Sequence, residues 1–355
     1  MKLNNKAEKK MLGGGCKMEK LTKSGYGELI KKISELVARS RTELAKTINT
    51  KIVHTYWTIG KYLVEYEQKG KVRADYGSEL MKTLSRELSA KLGRGFSQRN
   101  LRDMRRIYLL YPKWQTLSAK LSWSHYCLLL SIEDEAKRRF YEKESIKNLY
   151  SFRELKRQVS SALYERLALS KDKKGVLELC KKGQIIESAD DVVKDPYILE
   201  FLGISESEKL SETKLESALI GHLRDFLLEL GRGFSFVNRQ YRITMNNIHH
   251  YVDLVFYHIE LKCYVLIDLK IREFRHQDAG QMNFYLNYFK NEVNVEGDNP
   301  PIGIILCLEK DRVYVDYVLG GLSNKIFASR YKLKLPTPRE LADEVKKDIG
   351  RGETK

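Results

Sequence analysis

Two apolar, strand-like runs joined by a short polar turn constrain the fold of this chain more than any other feature. They lie in YVDLVFYHIELKCYVLIDLK, residues 251–270, whose pattern is typical of an antiparallel hairpin. Each run carries an acid, Asp253 or Asp268, where a half-buried strand normally carries an apolar or neutral residue. Lys270 follows the second acid by two residues. The hairpin therefore predicts a sheet with three charged side chains beside an apolar core.

The register of this hairpin decides whether the three charges meet. A turn centred between Glu260 and Leu261 places Asp253 opposite Asp268, with their Cβ atoms about 4.5–5.5 Å apart, and puts Lys270 on the same face. Two carboxylates that close repel each other unless a cation lies between them. A divalent ion and a nearby lysine are what a metal-dependent phosphodiesterase needs. The alternative is an ordinary surface hairpin with Lys270 as a cross-strand partner. The register with the turn centred between Glu260 and Leu261 also pairs Val255 with Leu266 and Tyr257 with Tyr264.

The composition favours a folded protein with a polyanionic partner. The chain has 355 residues, 42% of them hydrophobic, which is enough for two domains. Its net charge of +17 and pI of about 9.4 predict nucleic acid as the partner, although a generally lysine-rich surface is the alternative. No apolar run is long enough to span a bilayer, and the basic N-terminus lacks the apolar core of a signal peptide. Five singly scattered cysteines fit a reducing cytoplasm.

Hydrophobic periodicity divides the chain into a helical part and an α/β part. We predict a disordered basic tail over 1–24, a helical domain that binds DNA or a partner over 25–170, a linker over 171–195, an α/β domain over 196–345 and a second tail over 346–355. In the α/β part, residues 211–231 predict one amphipathic helix and 276–293 another. Strands are predicted over 234–245, 249–257, 263–270, 301–309, 313–319 and 326–335.

An arginine-rich helix follows Ser97, which is a candidate N-cap. Spacings of three and four residues place several of its arginines on one face, suited to contacting phosphates. A solvated helix face, or a contact with an acidic partner surface, would give the same pattern. The candidate nucleic-acid-binding residues are Arg94, Arg99, Arg102, Arg105 and Arg106.

Two other helices contribute candidates for a site beside the hairpin. Glu216 lies on the same side of its helix as the apolar stripe, although a favourable charge near a helix N-terminus explains it equally. In the later helix, Asp278, Gln281, Tyr285 and Tyr288 share one face, which either looks into the site or is simply hydrated.

These residues resemble a known nuclease signature. Asp253 followed by Asp268-Leu269-Lys270 resembles the PD-(D/E)xK motif, with Val252 in place of the proline of its name. Gln281-x-x-x-Tyr285 resembles the Q-x-x-x-Y element of the RecB-like branch. Longer strings, including NRQYRITMNNIHHYVDLVFYHIELKCYVLIDLK, LGRGFSQRNLRDMR and FRELKRQVSSALYERL, resemble the bacterial YhcG-type family from about residue 26 to 338.

The resemblance implies a restriction-endonuclease-like α/β (α+β) domain, a mixed sheet flanked by helices, behind an all-α N-terminal domain. It implies that Glu216, Asp253 and Asp268 bind Mg²⁺ or Mn²⁺, that Lys270 positions or activates water, and that Gln281 and Tyr285 support the site. The expected function is a Mg²⁺-dependent DNA endonuclease or a structure-selective relative, linked to restriction, defence or DNA repair and recombination. The expected partners are DNA, restriction–modification or defence proteins and a second copy of the chain. The alternatives are a non-catalytic binding or recruitment subunit and an RNA nuclease.

Overall fold

The fold is described from a computed structural model that covers residues 23–69, 74–169, 173–205 and 210–335. The predicted tail over 346–355, and all but the last two residues of the tail over 1–24, lie outside the described residues. The described part divides into a helical region and a six-stranded sheet with helices on its faces. None of the described helices is both long enough and apolar enough to cross a membrane.

The first region consists of helices, as the periodicity predicts. Ser97 caps one of them by accepting a hydrogen bond from the backbone N–H of Asn100, and Ser151 and Glu154 form the reciprocal capping box of another. Two indole N–H groups donate inside this region, that of Trp57 to a backbone carbonyl and that of Trp123 to a side-chain oxygen. The helices are α1 (Lys23–Lys69), α2 (Ala74–Leu92), α3 (Gln98–Leu110), α4 (Trp123–Leu130), α5 (Glu135–Asn148), α6 (Phe152–Ser160), α7 (Leu163–Leu169) and α8 (Lys173–Lys182).

The segment predicted as a linker, 171–195, is folded over its described part. Helix α8 lies inside it, and Leu179 is buried in the core of the helical region. The backbone N–H of Gln184 donates to the Glu144 carboxylate at 2.7 Å. The charged sequence KDKKG suggested a solvated connection, but the apolar residues that follow it bury one helix face.

The second region is a mixed sheet with strand order β1-β6-β5-β4-β3-β2. The pairs β1/β6, β6/β5 and β5/β4 are parallel, whereas β4/β3 and β3/β2 are antiparallel. The strands are β1 (Tyr197–Ile198), β2 (Phe234–Met245), β3 (Ile248–His258), β4 (Cys263–Leu269), β5 (Ile302–Cys307) and β6 (Lys325–Lys332). The helices are α9 (Glu212–Gly221), α10 (Leu223–Leu230), α11 (His276–Tyr288) and α12 (Arg312–Leu319).

Three elements differ from the sequence prediction. Residues 313–319 form helix α12 rather than a strand, and Asp311 caps it by accepting a hydrogen bond from the N–H of Tyr314. The helix predicted over 211–231 is broken at His222 into α9 and α10. The short strand β1, which pairs with β6, was not predicted.

Each face of the sheet has its own apolar core. One core contains Leu215 and Leu219 of α9 and Phe226 of α10, packed with residues of β3 to β5. The other contains Met282 and Leu286 of α11. Helix α9 covers one face of the sheet and α11 covers the other. Both helices can therefore present side chains near the end of the β3/β4 pairing, beyond Leu254 and Ile267.

A buried ionic cluster joins the helical region to the sheet region. Glu229 of α10 accepts hydrogen bonds from Arg166 at 2.5 Å and from Arg157 at 3.2 Å. It also accepts from the backbone N–H of Ile198 at 3.0 Å, and its own carbonyl accepts from Lys194. The side chains of Arg166 and Glu229 are completely inaccessible to solvent. The cluster thus fixes α6 and α7 against α10 and β1.

Candidate active site

The hairpin has the register that the sequence predicted. Tyr257 pairs with Tyr264 and Val255 with Leu266, and regular pairing continues to Leu254 and Ile267. Asp253 and Asp268 are the next residues on either strand. Asp253 does not extend the ladder by a backbone pair; its Oδ2 accepts a hydrogen bond from the backbone N–H of Leu269 at 2.7 Å. This bond fixes the Asp253 carboxylate beside the end of β4.

Asp268 and Lys270 form a buried ion pair. The exposed fractions of the two residues are only 2% and 7%, and Nζ of Lys270 lies 2.7 Å from Oδ2 of Asp268. That oxygen has no hydrogen-bond partner of good geometry among the described residues, so the contact is ionic. Burial and the neighbouring Asp253 raise the pKa of Asp268 to about 7, although Lys270 acts in the opposite direction. One lysine therefore does not compensate the negative charge here.

Glu216 of α9 reaches the same place from the other side. It is buried, and both its burial and the charge of Asp253 raise its pKa, so the two carboxylates are electrostatically close. Between them lies Gln240 of β2. Its Nε2 donates to Oε2 of Glu216 at 2.7 Å and to Oδ1 of Asp253 at 2.9 Å. A neutral amide thus bridges two acids that would otherwise repel.

Gln281 and Tyr285 of α11 form a chain that ends on the backbone of β3. Nε2 of Gln281 donates to the Tyr285 hydroxyl at 2.5 Å, and that hydroxyl donates to the carbonyl of Tyr251 at 2.9 Å. Tyr251 lies two residues before Asp253. Burial, with the charges of Asp268 and Asp253 as smaller causes, raises the pKa of Tyr285. Tyr285 therefore lies near the two aspartates, and Gln281 is hydrogen-bonded to it.

Asp278, the acid on the same face of α11 as Gln281 and Tyr285, makes its contacts near the N-terminus of the helix. Asp278 is buried, accepts two hydrogen bonds from Arg272 at 2.7 and 2.8 Å, and accepts another from the backbone N–H of Arg275. These contacts outweigh its burial and hold its pKa below the usual value. Asp278 thus anchors the N-terminus of α11 and is already neutralised.

Oxygen ligands of the kind that Mg²⁺ and Mn²⁺ prefer are present at this site. Three carboxylates converge on it, those of Glu216, Asp253 and Asp268, with Lys270 as the nearest ammonium group. Within the described ranges, however, no three His, Cys, Asp or Glu side chains are arranged as a ready metal site. The Gln240 amide lies between two of the acids. The chemical type of these donors fits such an ion.

Comparison with known proteins identifies the family of this chain. Residues 190–347 match the family model described as the YhcG PDDEXK nuclease domain, and residues 32–166 match the DUF1016 N-terminal domain. The chain is 40% identical over 356 residues to "Putative nuclease YhcG" of Escherichia coli (strain K12), a match covering 91% of this chain and 94% of that protein. The chain belongs to the YhcG family of PDDEXK nucleases. The resemblance and the fold class expected from the sequence are both confirmed.

Among solved structures, a repair endonuclease from Pyrococcus abyssi is similar over 37% of this chain and 50% of its own. The identity is 18% and the TM-score 0.26, values too low to add to the assignment.

Two residues at this candidate site escaped the sequence analysis. Gln240 bridges the acids from β2, where no motif or spacing marks it. Glu212 precedes Glu216 by one turn of α9, and its charge contributes to the raised pKa of both Lys270 and Arg272. A second acid four residues before Glu216 was the only signal available for Glu212.

The arginines of the predicted nucleic-acid helix divide into two groups. Arg94, in the turn before α3, and Arg99, Arg102 and Arg106 are exposed. Arg105 is partly buried, and its Nε donates to Oε2 of Glu67 on α1 at 2.7 Å. Four of the five candidates are therefore available to a ligand, whereas Arg105 braces α3 against α1.

Proposed function

We propose that this member of the PDDEXK family hydrolyses phosphodiester bonds in DNA with Mg²⁺ or Mn²⁺ as cofactor. The observation that supports this most is the undercompensated group of acids at the edge of the sheet. Asp253 and Asp268 lie at the end of the hairpin, Glu216 faces them from α9, and Lys270 is the adjacent ammonium group. Buried acids with too few cations are costly unless a ligand supplies positive charge.

The three acids would hold the ion. A bound Mg²⁺ or Mn²⁺ would lower the pKa of its water and stabilise the charge that develops on the phosphate oxygens. Lys270 would donate a hydrogen bond to a phosphate oxygen or orient the attacking water, since its ammonium group is buried beside Asp268. Gln281 and Tyr285 would hold the backbone of β3 near Asp253, because their hydrogen-bond chain ends on Tyr251.

The helical domain would hold the DNA backbone. The exposed side chains of Arg94, Arg99, Arg102 and Arg106 suit phosphates, which supply most of the affinity and little of the sequence specificity. We further propose a cytoplasmic location and, as possible partners, restriction–modification or defence proteins or a second copy of the chain.

Cleavage assays on several DNA forms, and on RNA of matched sequence, test the reaction in the presence of Mg²⁺ or Mn²⁺. Asp268→Asn and Lys270→Met should each lower the cleavage rate by on the order of 10²–10³, the usual loss when a group that stabilises transition-state charge is removed. Asp225→Asn is the matched control, because the Asp225 side chain on α10 is 46% exposed and belongs to neither buried charge group. Purified Asp268→Asn that cleaves at the wild-type rate would refute the assignment.

The substrates separate the alternatives. Cleavage of RNA alone would replace DNA by RNA while keeping the same site. Tight DNA binding with no cleavage under any divalent ion would favour the recruitment subunit.

A further inference from the structure

Gln240 has an unusual backbone conformation for a residue inside a strand. Its φ is +47°, in the left-handed region that non-glycine residues rarely adopt. Arg239 pairs with Leu254 and Tyr241 pairs with Val252, whereas Gln240 and Asp253 are omitted from the ladder between them. Such conformations persist where the surroundings enforce them, and they cluster at functional sites. The distortion accompanies a Gln240 side chain that is directed to Asp253 and Glu216.

The Gln240 side chain uses both of its N–H groups on acids. One N–H donates to Oε2 of Glu216 at 2.7 Å, and the other donates to Oδ1 of Asp253 at 2.9 Å. Hydrogen bonds to ionised acceptors are stronger than those between neutral groups. Among the contacts of these two carboxylates, the amide is the one they share, so it offsets part of their repulsion.

Both acids keep other anchors that do not depend on Gln240. Asp253 accepts a hydrogen bond from the N–H of Leu269 through its second oxygen. Glu216 is fixed by α9, whose neighbours Leu215 and Leu219 are fully buried in the sheet core. Removal of the Gln240 amide should therefore leave the carboxylates near their positions while exposing each to the other's charge.

A divalent ion needs the same carboxylate oxygens that the amide occupies. The N–H groups of an amide carry positive partial charge and cannot face a cation, so they must leave before Glu216 and Asp253 bind the ion together. We propose that Gln240 is a positioning residue that bridges Glu216 and Asp253 in the metal-free protein and is displaced by the ion. This inference rests on the proposed metal-dependent function.

The test variant is Gln240→Asn, which keeps the amide and adopts the left-handed conformation more readily than glutamine, but is one methylene too short to bridge. Calorimetric titration with Mg²⁺ or Mn²⁺ alone, without nucleic acid, should show an affinity raised about tenfold, equivalent to about 1.4 kcal/mol, because the ion no longer displaces the bridge. Gln277→Asn, at an exposed position of α11, should leave the affinity unchanged. An unchanged or weakened affinity in Gln240→Asn would overturn the displacement.

A double-mutant cycle in EDTA tests the bridge without any metal. Gln240→Asn should lower the melting temperature of the wild type, but lower it less in a Glu216→Gln background, where one charged acceptor is gone. Equal decreases in both backgrounds would overturn the bridge. If the wild type binds neither ion while the cycle shows coupling, the proposed function and the displacement fail and the bridge stands.

Discussion

Two groups of buried charges in this molecule are built on opposite principles. Around Glu229, one carboxylate is surrounded by Arg166, Arg157 and Lys194. Around Asp268, three carboxylates have one buried lysine and a neutral amide, with the exposed Arg239 as a further cation that acts on Glu216. The first group has more cations than its central acid requires, and the second has fewer.

The pKa values of the two groups move in opposite directions for this reason. Burial alone would raise the pKa of Glu229, but Arg166, Lys194 and Arg157 hold it at about 2. Burial raises that of Asp268 to about 7, and one lysine does not reverse the shift. Charges that are satisfied inside the protein stabilise structure, whereas charges left in excess are suited to recruit a ligand.

The largest test of this comparison is the substitution Glu229→Gln. It should lower the free energy of unfolding by about 3–5 kcal/mol, because the buried Arg166 and Lys194 remain without the anion that offsets their charge, whereas Arg157 keeps its pair with Glu200. The midpoint of urea unfolding measures the change.

Two matched Glu→Gln substitutions serve as controls for that measurement. Glu260→Gln removes a partly exposed ion pair with Arg232 and should cost at most about 1 kcal/mol. Glu216→Gln should cost less than Glu229→Gln, since it removes one of the repelling acids. Equal destabilisation by Glu229→Gln and Glu216→Gln would show that the charge groups around Glu229 and Asp268 do not differ in how far their acids are compensated.

Much of the sheet domain follows from local patterns. The apolar pattern predicts the bounds of β2, β3 and β4 closely. The short turn between β3 and β4 fixes their register, because it allows few alternative pairings of the two strands. The meeting of Asp253 with Asp268 is a consequence of that register. The helix pattern marks Glu216 beside an apolar stripe, but its approach to Asp253 depends on how α9 packs on the sheet.

The missed features depend on tertiary contacts. Residues 313–319 have the β-branched and aromatic composition of a strand, yet the cap at Asp311 and packing against α11 make them helical. Gln240 bridges two acids 24 and 13 residues away, and it does so from a left-handed position inside β2 that the sequence does not reveal. Glu229 looks like any charged residue of an amphipathic helix until the helical region covers it.

A second test uses pH. Asp268 has a folded pKa of about 7 against an ordinary value of 3.8, so ionising it costs stability as the pH rises between these values. Asp268→Asn has no such group, and its melting temperature relative to wild type should increase from pH 4 to pH 7 in EDTA. A constant difference for Asp268→Asn would mean that its carboxyl is compensated like that of Glu229, whose stabilisation is lost only as the pH falls from 4.5 towards 2.

The smallest expected effects concern the arginines of α3, where exposed side chains can be compared with one that is paired inside the protein. Replacing Arg99, Arg102 or Arg106 by alanine should weaken DNA binding a few-fold, because these side chains are exposed. Each replacement should also reduce the slope of log K against log salt by about 0.9 for every phosphate that the protein no longer neutralises. Arg105→Ala should leave the slope unchanged and cost about 1 kcal/mol of stability at most, since Arg105 is paired with Glu67. Fluorescence anisotropy at several salt concentrations measures the slopes. If Arg105→Ala changed the slope as much as the other replacements, DNA would displace Glu67 from Arg105. An ion pair inside the protein would then not distinguish a structural arginine from one that binds DNA.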